Sequence, residues 1–120
     1  MNSYLAMTDL TKREKKLARE LIEKGLREEF KRGMLSFDAI LQQWKSEDGD
    51  IKENYYKIFS AVKDFDKGIA RRYDGMRGSD YELVIVGQLM DELYDISELD
   101  AFDPETRNSI LRIIKRRKEL

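Results

Sequence analysis

The chain has 120 residues, 41% of them hydrophobic and 39% charged, a size and balance that suit one packed domain beneath a charged surface and argue against disorder. Its formal net charge of −1 supplies no overall attraction to nucleic acid or to an acidic membrane. The absence of both cysteine and histidine excludes disulfides, thiol catalysis, Ser/His/Asp or Cys/His nucleophile arrangements and the commonest transition-metal ligands.

Residues 1–10 have no basic n-region and the longest purely apolar run is 83–86, so neither a secretory leader nor a membrane span is expected, and the expected location is cytoplasmic. Thr11 and Glu14 have capping-box spacing and open a first helix, in which each satisfies an otherwise unpaired backbone N–H of the other. Leu17, Leu21, Ile22, Leu26 and Phe30 line its apolar side, and Gly33 is placed to end it. Gly25 lies inside this pattern, where glycine costs about 1 kcal/mol relative to alanine, so close packing or a bend is expected there. Ser36 caps a short second helix with Phe37, Ile40, Leu41 and Trp44 on one side, broken by Glu47, Asp48 and Gly49.

Asp50 and Glu53 begin the most regular element. Ile51, Tyr55, Ile58, Val62, Phe65, Ile69 and Tyr73 are separated by alternating intervals of four and three, with a final four. That spacing draws one stripe along an α-helix and fits no single face of a strand. Phe59 widens it, so the helix is expected to be the central strut, facing several partners at once. Burial of Phe65 on that stripe puts the expected cost of Phe65→Ala at about 3–5 kcal/mol by urea unfolding. Gly75 and Gly78 punctuate the next turn, Ser79 and Glu82 form a third capping pair, and Leu83, Val86, Leu89, Met90 and Leu93 continue the core face. Residues 95–102 connect to a last helix through Ile96, Leu99 and Phe102, which pack back onto the core. Asp103 and Pro104 then start that helix as N-cap and first residue, with Ile110, Leu111, Ile113 and Ile114 facing inward. The expected fold is therefore a single all-α domain over 1–120, a bundle of about five helices around a long central helix.

Charge is unevenly spread. Residues 78–106 hold nine acidic side chains and no Lys or Arg, residues 107–120 have a net charge of +5, and residues 1–77 a net charge of +3. Pairing within the chain is the expected use of this asymmetry. The 71–79 turn combines Arg71, Arg72 and Arg77 with two glycines and Ser79 at a helix start, the parts of an anion or partner site. It lacks the G-x-x-x-x-G-K-[ST] pattern of a phosphate-binding loop. The same residues also serve structure alone, with Arg71 and Arg72 at a helix C-terminus and Gly75 as a left-handed cap.

Glu20 with Glu23 and Glu92 with Asp95 have the Glu-x-x-Glu and Glu-x-x-Asp spacing with which all-α nucleotide pyrophosphatases hold Mg²⁺. The two pairs lie more than half the chain apart, and the rest of that pattern is missing. Asp48-x-Asp50 and Asp64-x-Asp66 fail the calcium-loop pattern for want of its glycine and glutamate. A helix-turn-helix reader would lead into the groove with Glu47, Asp48, Asp50 and Glu53, facing phosphates with acid. Trp44 reads as core, whereas Tyr56 lies beside the main stripe and suits a partner contact. The leading functional expectation is a non-enzymatic interaction or regulatory protein with a protein partner or a second copy of itself, and with no cofactor, metal or membrane. The alternatives are an anion- or nucleic-acid-binding module using Arg71, Arg72, Arg77 and Ser79, and, third, a Mg²⁺-dependent nucleotide hydrolase.

Overall fold

Apolar residues at helical spacing run along most of the chain, and the structure answers with helices throughout. The computed structural model describes residues 10–47 and 49–119; Asp48 of the expected break and residues 1–9 of the leader reading lie outside them. Among the described residues four α-helices follow one another: α1 (Lys12–Glu47), α2 (Ile51–Tyr73), α3 (Tyr81–Met90) and α4 (Pro104–Lys118). A 3-10 turn covers Gly78–Asp80, and a six-residue 3-10 helix covers Ile96–Ala101. No strand occurs among the described residues, so the molecule is all-α. No helix among them is long and apolar enough to cross a membrane. The chain divides into two compact units, Met1–Leu26 with Gly75–Leu120, and Arg27–Asp74. Helix α1 supplies its first part to one and its remainder to the other.

The first unit contains every buried apolar side chain among the described residues. Ala18, Leu21 and Ile22 of α1, Val84, Ile85 and Val86 of α3, Leu99 and Phe102 of the connector, and Ile110 and Ile114 of α4 form this core. In the connector Leu99 and Phe102 pack as their spacing predicts while Ile96 is exposed, and in the last helix Ile110 and Ile114 are buried while Leu111 and Ile113 are half-buried. Helix α3 departs from expectation. Leu83 and Met90 are partly exposed while Val84 and Ile85 are enclosed, because a helix covered on several sides has no single core stripe to read.

Three cap arrangements fix the element ends. Thr11 and Glu14 form their box, with Glu14 N–H to Thr11 Oγ1 at 3.2 Å and Thr11 N–H to Glu14 Oε1 at 3.4 Å. The second oxygen of Glu14 accepts the backbone N–H of Asp103 at 3.1 Å, so this buried carboxylate also serves the start of α4. Glu92 adopts a left-handed backbone (φ 56°) just after α3. There Leu93 N–H reaches Gln88 O and Glu92 N–H reaches Leu89 O, each at 3.0 Å, the paired bonds of a Schellman stop. Asp95 caps the connector, and hydrogen bonds from Ser97, first the side chain and then the backbone N–H, hold its carboxyl below the usual carboxylate range.

The Ser79–Glu82 cap does not form. Residues Gly78–Asp80 wind as a 3-10 turn, α3 starts at Tyr81, and Glu82 turns inward, where Ser109 Oγ donates to its Oε2 at 3.1 Å. The acidic segment does find basic neighbours within its own unit: Arg13–Asp103 at 2.8 Å, Lys24–Glu98 at 2.9 Å and Arg107–Asp100 at 3.5 Å. These pairs are largely solvated, and each is worth about 0–1 kcal/mol.

Gly25 packs as its place in the helix predicts. Gln88, fully buried, donates from Nε2 to Ile22 O at 2.9 Å and accepts from Tyr94 Oη at 2.8 Å. A Cβ on Gly25 would lie 2.4–2.9 Å from the Gln88 amide group. Gly25→Ala should therefore displace Gln88 and cost about 1–3 kcal/mol by overpacking. In a Gln88→Ala background the same change should stabilise by up to about 1 kcal/mol through helix propensity. Urea unfolding of the four proteins of this cycle checks it, and equal effects of Gly25→Ala in both backgrounds would refute the packing account.

Candidate protein-interaction surface

The second unit, Arg27–Asp74, is a helical hairpin made of the remainder of α1 and the whole of α2. The two expected helices on either side of Gly33 are one. A terminating glycine needs a positive φ, and Gly75 is the described glycine that has one, at 71°. Gly33 stays helical and buried, and a Cβ there would lie 2.6–2.9 Å from the Phe65 ring. Its lack of a side chain is what lets that ring approach. Ser36 caps nothing; its Oγ donates back to Gly33 O at 2.7 Å, a common use of serine inside a helix.

Asp50 does cap α2, accepting from Glu53 N–H at 3.0 Å. The helix itself spans Ile51–Tyr73 as its periodicity predicts, but it contains no buried residue. Its stripe is not a core strut. Tyr55, Phe59 and Val62 are 59%, 52% and 44% exposed, and Ile51 is 67% exposed. Phe65 is half-buried, with edge contacts to Phe30 and Phe37 at centroid distances of 5.4 and 5.7 Å, so the full cost of removing an enclosed ring does not apply to it.

Between the two helices runs an apolar groove of about 460 Å³, lined by Phe30, Met34 and Phe37 from α1 and by Phe59, Val62 and Phe65 from α2, with Lys63 and Asp66 adding charge. Tyr55 extends it by stacking on Phe59 at 6.5 Å, Tyr56 packs edge-on to Tyr55 at 5.1 Å, and Lys63 Nζ lies 6.0 Å from the Phe59 ring centre. With α1 continuous, a second regular stripe emerges: Phe30, Met34, Phe37, Leu41 and Trp44, at intervals of four and three. Met34 and Leu41 belong to the exposed part of this stripe. The spacing was present in the chain, but an expected break at Gly33 divides it.

The arginine-rich turn is distributed between the units. Arg71 and Arg72 end α2 in the hairpin, whereas Arg77 and Ser79 belong to the other unit. Arg72 Nη1 lies 3.2 Å from Glu29 Oε1, which also accepts from Tyr73 Oη. The backbone N–H of Arg77 donates to Asp80 Oδ2 at 2.9 Å, so the local carboxylate takes a donor that an external anion would need. Arg71, Arg77 and Ser79 are exposed. Among the described residues no three acidic side chains gather closely enough to hold a metal ion.

No protein family, curated protein or solved structure matches this chain. The class that its own geometry defines is an all-α chain with one enclosed helical core and one open, aromatic-lined helical hairpin.

The two hairpin glycines provide a test of its packing. Gly33→Ala should cost about 1–3 kcal/mol, because the Phe65 ring must move. Gly68 in α2 has nothing within 4 Å of a built Cβ, and Gly68→Ala should stabilise by about 0.5–1 kcal/mol. Thermal unfolding of both variants reads the opposite signs directly.

Proposed function

We propose that this protein is a non-enzymatic interaction module that binds a protein partner through the apolar groove of its Arg27–Asp74 hairpin. The observation that carries this reading is the contrast between the two units. The first encloses an apolar core and leaves only scattered apolar residues such as Leu83, Met90 and Ile96 exposed, while the hairpin buries no apolar side chain fully and leaves large aromatic and aliphatic residues half exposed along one groove. Contiguous apolar surface of this kind marks interaction sites in proteins. Tyrosine, phenylalanine and methionine, which dominate the groove and its extension, are the residue types enriched at protein interfaces. The absence of cysteine suits a reducing compartment such as the cytoplasm. Nucleic-acid binding at the arginine turn is less well supported, since Glu29 neutralises Arg72 and Asp80 occupies the Arg77 amide.

Site-specific photocrosslinking in the protein's own cells tests the reading. A photoreactive phenylalanine analogue in place of Phe59 should form discrete protein adducts, and the same group in place of exposed Arg112 on α4 should not. Equal labelling at both positions, or none at Phe59, refutes a binding groove on the hairpin.

A further inference from the structure

Resting on that reading, we infer that the occupant of the groove is a second copy of this chain, and that two hairpins pair to form a four-helix bundle. Both helices of the hairpin carry four-three apolar spacing, Phe30 to Trp44 on α1 and Ile51 to Ile69 on α2. That interval is the seam of helices packed at shallow angles in four-helix bundles and coiled coils. A hairpin supplies two of the four helices such a core needs, and a copy related by a two-fold axis supplies the other two with the same pattern.

Area and charge agree with this occupant. Phe30, Met34, Ile51, Tyr55, Phe59 and Val62 are on average about half exposed, and at roughly 150–200 Å² per side chain they offer roughly 600 Å² of apolar surface per copy. Apolar atoms make up little more than half of an ordinary interface, so with its polar border the face is of the size that the roughly 800 Å² per partner of a stable complex requires. The hairpin is also neutral, with ten basic and ten acidic side chains over 27–74, and two copies meet without net repulsion. A partner selected by charge would face a strongly signed surface, which this is not. In a two-fold pairing any contact between residues i and j occurs twice, and Lys63 and Asp66, which both line the groove, supply opposite charges for such a reciprocal pair.

Sedimentation equilibrium of the full chain, from micromolar to several hundred micromolar, tests the pairing. The wild type should give twice the 14.2 kDa of one chain. Val62→Asp should halve that mass with helicity retained by circular dichroism, while Ile96→Asp, at an exposed apolar position of the other unit, should leave it unchanged. If Val62→Asp loses helicity, Val62→Ala serves instead and should weaken association at least tenfold while remaining helical. A dimer that both Val62 variants leave intact overturns the groove as its interface. A wild type monomeric throughout the range overturns the second copy as occupant. The broader reading is then decided by the Phe59 crosslink: adducts to a different protein preserve it, and their absence removes both.

Discussion

Two α-helices laid side by side touch along one line, and no choice of side chains lets that line enclose an apolar face wider than itself. A stable core needs a further layer. The first unit has one, since α3 packs on α4, which in turn meets the 3-10 connector, and is tied to the start of α1 through Gln88 and Ile22, and its valines and isoleucine are sealed. The hairpin has two helices and no more. Phe65 reaches across to Phe30 and Phe37, the absence of a side chain at Gly33 makes room for it, and beyond that contact the apolar residues remain open. The groove, the proposed binding role and the proposed pairing all follow from this one geometric shortage.

Much of the fold was legible because helix caps and helical spacing are local. The Thr11–Glu14 box, Asp50 before α2, the left-handed Gly75 and the Asp103–Pro104 start of α4 all occur where the residue types demand them. What failed depended on distant residues. Gly33 looks like a stop when read beside its neighbours, yet its role is set by a ring 32 positions later. Glu82 has the spacing of a cap residue but is drawn inward by Ser109. The spacing of Glu14 announces one helix start, and the residue serves two.

The candidate site was half legible for a related reason. Apolar periodicity reports which side of a helix avoids water, not what covers that side, so the Ile51-to-Tyr73 stripe reads as a core strut when it is a surface. The spacing sets Tyr56 apart as a contact residue and places Tyr55 and Phe59 in the interior, whereas all three are comparably exposed. The matching stripe from Phe30 through Met34 to Trp44 becomes visible once α1 is continuous. The arginines drew attention as a cluster in sequence, but Arg72 is held by Glu29, 43 residues away, a pairing that no local pattern announces.

The double duty of Glu14 has a consequence for motion. Helix ends ordinarily fray independently, each opening and closing on its own local equilibrium. Here one carboxylate accepts the amide of Thr11 through one oxygen and that of Asp103 through the other, although the two lie 92 positions apart in the chain. Swinging that side chain away exposes both amides to solvent in a single event. The beginnings of α1 and α4 thus share one latch, and their slow fluctuations are correlated in time without any direct contact between the two amides.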